Sequence, residues 1–160
     1  MGDQTGVSFS LSCGHNMGDQ TGVALLQSFR LHCGEEMGDQ TGVALAEALK
    51  TSISCQSFSL DFGFEMGDQT GVALAEALKT SVSLQSFSLD CERVFESMGD
   101  QTGLALAEAL KASISLRSFT LDCSQTYMGG QTCLALAEAL KTSVSLQSFS
   151  LCTDYMDRQA

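Results

Sequence analysis

Cys13, His15, His32 and Cys33 are the side chains in this 160-residue chain whose types come nearest to a metal site. A structural zinc ion wants four such ligands converging tetrahedrally, usually delivered by closely spaced pairs. No C-x-x-C occurs. His32 and Cys33 are adjacent, and adjacent side chains of a strand point to opposite faces. In a stacked array Cys13 and Cys33 would occupy equivalent inward positions on neighbouring strands, about 5 Å apart. The expectation is buried free thiols behaving as small apolar groups, with no metal and no cofactor. Asp61-Phe62-Gly63 spells a triplet that kinases use, but no glycine-rich loop, no V-A-I-K lysine and no H-R-D accompanies it. His15 and His32 are the two histidines, both in the shortened N-terminal repeats. No acid–base pair or nucleophile triad stands out, and no enzyme is expected.

The hexapeptide Met-Gly-Asp-Gln-Thr-Gly offers glycines and a carboxylate. It lacks the Lys-Ser/Thr of a phosphate loop and the spacing of a dinucleotide fingerprint. It also recurs, starting at Met1, Met17, Met37, Met66 and Met98, and becomes Met-Gly-Gly-Gln-Thr-Cys at Met128. A catalytic signature is needed once per active site, whereas a structural unit appears once per turn of an array. The Phe of each Ser-Phe pair gives the cleaner ruler: Phe9, Phe29, Phe58, Phe87, Phe119 and Phe149. After one shorter step, that Phe returns about every 30 residues, and periods of this size mark a solenoid, in which each coil buries its apolar side only against its neighbours.

The unit Met66 to Ser97 has two halves. Gly71, Leu74, Ala75 and Leu78 fall at i, i+3, i+4 and i+7, one face of a helix. Asp68 stands before that run, placed to accept from the free N–H groups of the first turn. Gly71 on the buried face implies close approach of the helix to the sheet. Glu76 and Lys79 lie off that face at a spacing that pairs in water. Then Phe87, Leu89 and Cys91 alternate with Ser86, Ser88 and Asp90, the period of a half-buried strand. Strand, helix and parallel strand repeat into an α/β solenoid with strands on the concave side and helices on the convex side. Six strands and four full helices are expected in a single array over 1–160. Two shortened repeats occupy 1–36, the second keeping barely two helical turns. Four full repeats occupy 37–155, and 156–160 reads as the start of a truncated one.

The strand text resembles the leucine-rich repeat pattern L-x-x-L-x-L, with Phe as the second Leu: Cys55 to Leu60, Leu84 to Leu89, Leu116 to Leu121 and Leu146 to Leu151. With the helix text Gly-Val-Ala-Leu-Ala-Glu-Ala-Leu-Lys, it is similar to the ribonuclease-inhibitor-like subclass, found also in NOD-like receptors, over Met37 to Leu151. One departure is that Cys13, Cys33, Cys91 and Cys123 sit two positions after the last strand Leu, not three. The resemblance implies a non-catalytic protein-binding scaffold. It also carries two alternatives: a regulator of a small GTPase, or a fragment of a larger NOD-like-receptor-type protein. A GTPase regulator would need an edge of differentiated residues, against which the near-identical rows speak.

The rows suggest where a partner binds. On the concave face Ser57, Ser59 and Asp61 should align with Ser86, Ser88 and Asp90, with Ser118, Thr120 and Asp122, and with Ser148 and Ser150, flanked by Gln56, Gln85, Arg117 and Gln147. Like charges about 5 Å apart repel unless a cation answers them, so a basic protein is the expected partner. Phe62, Phe64, Arg93, Phe95 and Tyr127, in the loops after the strands, break the repeat and extend the candidate surface. The net charge of −11 argues against nucleic acid and anionic membrane. No apolar run approaches the ~20 residues of a membrane span. Seven Cys and no signal segment suggest a reducing, cytoplasmic setting. Neither end shows a polar capping unit, so self-association through open edges is also expected.

Overall fold

The computed structural model describes residues 8–13, 26–33, 37–63, 65–92 and 98–153. Six strands, β1 (Ser8–Cys13), β2 (Leu26–His32), β3 (Ser57–Asp61), β4 (Ser86–Asp90), β5 (Ser118–Asp122) and β6 (Ser148–Cys152), form one sheet in chain order. Four helices of 13 residues, α1 (Asp39–Thr51), α2 (Asp68–Thr80), α3 (Asp100–Ala112) and α4 (Gly130–Thr142), connect β2 through β6. From β2 onward every strand pair is parallel and in perfect repeat register, Phe opposite Phe and Leu opposite Leu. This is an α/β leucine-rich-repeat solenoid. Packed helices sit about 8–10 Å apart and paired strands about 4.8 Å apart, so the stack bends with its strands inside.

β1 departs from the expected arrangement, because it runs antiparallel to β2. A parallel pair needs a crossover of a dozen or more residues, usually a helix, and the helix text between these two strands is cut to barely two turns. The reversal separates two cysteines expected side by side: Cys13 lies opposite Leu26, while Cys33 follows the other end of β2. The two-turn helix expected before β2, and Met156 onward, fall outside the described residues.

The core follows the alternation. Phe58, Phe87 and Phe119 are buried, and their rings stack in a column with Phe29 and Phe149, at centroid separations of 5.3, 5.7, 6.0 and 5.6 Å. Such pairs add about 0.5–1.5 kcal/mol each beyond the area they bury. Leu74 and Leu78 of α2 and Leu106 and Leu110 of α3 close over the strands. The surface Glu–Lys pair forms in the last two helices, as Glu108–Lys111 and Glu138–Lys141.

The hexapeptide is a lock between coils, and two of its expected roles need correction. Asp68 does not cap its own helix; it is the first helical residue, and Gly67 stands at the cap. Its carboxylate reaches the next coil, accepting from the Gly99 N–H (3.1 Å), the Thr102 N–H (3.3 Å) and the Thr102 hydroxyl (2.6 Å). Asp39 does the same for Gly67 and Thr70, and Asp100 for Gly129 and Thr132. Each carboxylate therefore satisfies the free N–H groups at the start of the following helix. Nor does Gly71 face the sheet. A methyl group there would lie 2.8 Å from the Thr102 Cβ, a clash with the neighbouring helix. Gly42 meets Thr70 and Gly103 meets Thr132 in the same way. Asp and Gly serve the coil ahead, and Thr serves the coil behind.

Candidate functional site

The strand side presents four rows, one residue per coil. Backbone bonds tie Gln27, Gln56, Gln85, Arg117 and Gln147 into a ladder with N···O distances of 2.7–2.8 Å. Their side chains are exposed. Behind them lie Ser57, Ser86, Ser118 and Ser148, then Ser59, Ser88, Thr120 and Ser150, in the expected register. The inner members are half-buried, and Ser148 and Ser150 are exposed. The last row is Asp61, Asp90, Asp122 and Cys152.

The three aspartates are not equivalent. His32 of β2 lies opposite Asp61, and its Nδ1 contacts the Asp61 carboxylate. Asp90 accepts from the Glu92 N–H (3.1 Å), and Asp122 from the Ser124 N–H (3.0 Å) and hydroxyl (2.7 Å). Among the described residues neither Asp90 nor Asp122 is in an ion pair. Two neighbouring carboxylates thus share one stretch of the face, steadied by local donors. At the other side Arg30 lies opposite Ser59, so β2 contributes Arg30 and His32 where the later coils carry Ser and Asp.

The loops divide. Tyr127 is 52 % exposed, its backbone N–H held by the Met98 carbonyl. Phe62 is fully buried, contrary to its place in the candidate surface. It occupies the slot of Cys33, Cys91 and Cys123: its N–H bonds across to the Asp90 carbonyl, as Cys91 does to Asp122, and its side chain turns inward. Phe64, Arg93 and Phe95 lie outside the described residues. Arg30 is the site residue that reading the sequence missed, and His32, weighed there only as a metal ligand, was not placed in the aspartate row. The signal was present, since Gln-Ser-Phe-Arg-Leu-His aligns with Gln-Ser-Phe-Ser-Leu-Asp.

The thiols of the inner slot are held neutral. Burial pushes Cys33 and Cys123 up to about 11, helped by nearby aspartates, and raises Cys91 well above the ordinary thiol value. Among the described residues no three His, Cys, Asp or Glu side chains gather in a way that could hold a metal ion. No described helix is long and apolar enough to cross a membrane.

Comparison with known proteins places the fold. No protein-family model matches the chain, and no curated protein does. Solved structures do. A structure described as leiomodin-1 actin-binding site 2 superposes with a TM-score of 0.60 at 20% identity, covering 78% of this chain and 69% of that one. The tropomodulin C-terminal domain of Caenorhabditis elegans gives 0.64 at 18%, covering 83% and 77%. The likeness is one of fold.

Proposed function

We propose that this chain is a non-catalytic protein-binding module that takes a basic partner on its concave strand side. The observation that carries this reading is the pair Asp90 and Asp122, adjacent, half-exposed and in no ion pair among the described residues. The serines around them leave room for a partner's side chains, and Arg30, Arg117 and Tyr127 are exposed residues of the type that anchors interfaces. Asp61 contributes less, because His32 already answers it. The array has the extended surface that repeat proteins use for binding. Its long helices, each of 13 residues, favour the ribonuclease-inhibitor-like subclass. The leiomodin-1 likeness makes actin the first protein to try, by analogy of fold.

The test is charge reversal. Asp90→Lys with Asp122→Lys is expected to abolish capture of a basic partner in a pull-down while leaving the circular dichroism spectrum unchanged. Undiminished capture by the folded variant would place the site elsewhere.

A further inference from the structure

The strand side is not uniformly acidic. On β2, Arg30 and His32 stand in the rows where β3 carries Ser59 and Asp61, β4 Ser88 and Asp90, and β5 Thr120 and Asp122. His32 is engaged with Asp61, whose carboxylate its Nδ1 contacts. Arg30 is exposed, and among the described residues it is in no ion pair. Its cross-strand neighbours are Ser10 on β1 and Ser59 on β3, neither of them charged. The face therefore has an unpaired cation on β2 and unpaired carboxylates on β4 and β5, with the contact of His32 and Asp61 between them.

The sheet itself sets their separations. Paired strands lie about 4.8 Å apart, and residues two apart along a strand about 6.6 Å. Asp90 is two strands over from Arg30 and one row along, about 12 Å away, and Asp122 is three strands over, about 16 Å away. Arg117 is the other exposed arginine of this face among the described residues. It stands five residues before Asp122 on the same run of chain, about 16 Å along it. A segment laid along β5 would meet Arg117 and Asp122 and leave Asp90 to one side. A segment crossing the coils meets Arg30, Asp90 and Asp122 in turn.

We infer that the partner's binding segment is extended, crosses the coils, and carries a carboxylate for Arg30 as well as cationic side chains for Asp90 and Asp122. This rests on the strand-side reading of function and adds the order of charges that the partner must carry. An extended chain rises about 3.3 Å per residue and shows alternate side chains on one side. An acid at i and lysines at i+4 and i+6 then face the three groups in order, and the flexible lysine stems take up the difference in spacing. The guanidinium fork accommodates a carboxylate through two parallel hydrogen bonds. A segment with positive charge alone meets repulsion at Arg30, so this residue selects among basic partners.

The probes are two tetramethylrhodamine-labelled peptides, Ser-Glu-Ser-Ser-Ser-Lys-Ser-Lys-Ser and the same peptide with Gln for Glu, titrated with the full chain by anisotropy at low salt. Bulk attraction to a chain of net charge −11 favours the Gln peptide. A preference of about fivefold for the Glu peptide is expected instead. Arg30→Gln should reverse that preference, and Arg117→Gln should leave it in place. Both variants should keep the parent circular dichroism spectrum, since both side chains are exposed. Asp90→Lys with Asp122→Lys should abolish binding of both peptides. The inference is overturned if the parent prefers the Gln peptide, if the Glu preference survives Arg30→Gln, or if it vanishes in Arg117→Gln. In each of those cases, loss of binding in the aspartate variant still upholds the strand-side reading. Binding that the aspartate variant retains overturns that reading and the inference with it. No saturable binding of either peptide overturns the inference.

Discussion

The coil from Met98 to Asp122 carries Asp100 and Gly103; the coil from Met128 to Cys152 has Gly130 and Cys133 in their places. Thr132 still reaches back to Asp100, with both its N–H and its hydroxyl bonded to that carboxylate. The half of the lock that serves a following coil is gone: no carboxylate stands at 130, and a side chain stands at 133 where the inner coils leave room for threonine. Burial changes with it. Phe119 is fully buried and Phe149 half-buried, and exposure at the outer helix position rises from 42% at Leu104 to 72% at Leu134. The contrast teaches that the hexapeptide is two devices spelled together. A coil can lose the forward one and still join the stack by the backward one.

The largest effect should come from the aromatic column. Phe119→Ala is expected to cost about 4 kcal/mol and Phe149→Ala about 2 kcal/mol, because the outer ring has less burial to lose. Urea denaturation checks this, and equal losses would break the comparison. Next is the helix contact. A methyl added by Gly103→Ala would lie 2.6 Å from the Thr132 Cβ, so about 3 kcal/mol is expected. Cys133→Gly in the outer coil should cost no more than about 1 kcal/mol, the propensity difference. Melting temperatures of the two variants measure the gap.

The smallest effect concerns pH. Burial raises the Asp100 carboxyl, but its bonds from the Thr132 hydroxyl and the Gly129 and Thr132 N–H groups outweigh burial, leaving it below the ordinary carboxylate range. A carboxyl depressed in the folded state contributes stability that is present above its unfolded value, about 3.9, and lost as pH falls through the folded one. Asp100→Asn should therefore be less stable at neutral pH by about 1–2 kcal/mol and should converge with the parent below that window. Gly130→Asp should show no such convergence, since a methyl at 130 meets nothing within 4 Å. Denaturant midpoints from pH 7 to pH 2 decide between them.

Much of this was legible from spacing. Period-two text gave the strands, i, i+3, i+4, i+7 text gave the helices, and the Phe ruler gave their register. What escaped had physical reasons. Asp68 stood where capping residues stand, and nothing local to its own helix says that its carboxylate serves the start of the next helix, a full coil further along the chain. Gly71 announced a close approach but not which element came close. Phe62 looked like a differentiated loop residue because its type differed from the Cys of other coils, although its position was theirs. The reversal of β1 goes with a shortened crossover, a constraint of topology and not of residue type. Among the site residues, the serine and aspartate rows fall where alternation put them. Arg30 and the pairing of His32 with Asp61 escaped because both lie in a shortened repeat, outside the rows that the full repeats spell.

The direction of the lock bears on how such a chain changes length. Every inner junction uses the same three residues in the same order, so an exchange between misaligned gene copies that adds or drops one whole unit leaves each remaining junction intact. An exchange that cuts between the hexapeptide and the strand text instead produces a coil without its helix, as in the text that leads into β1. Between Met37 and Met128 the described junctions suit growth by whole units. Beyond that point a new unit would meet Cys133 with no aspartate to receive it.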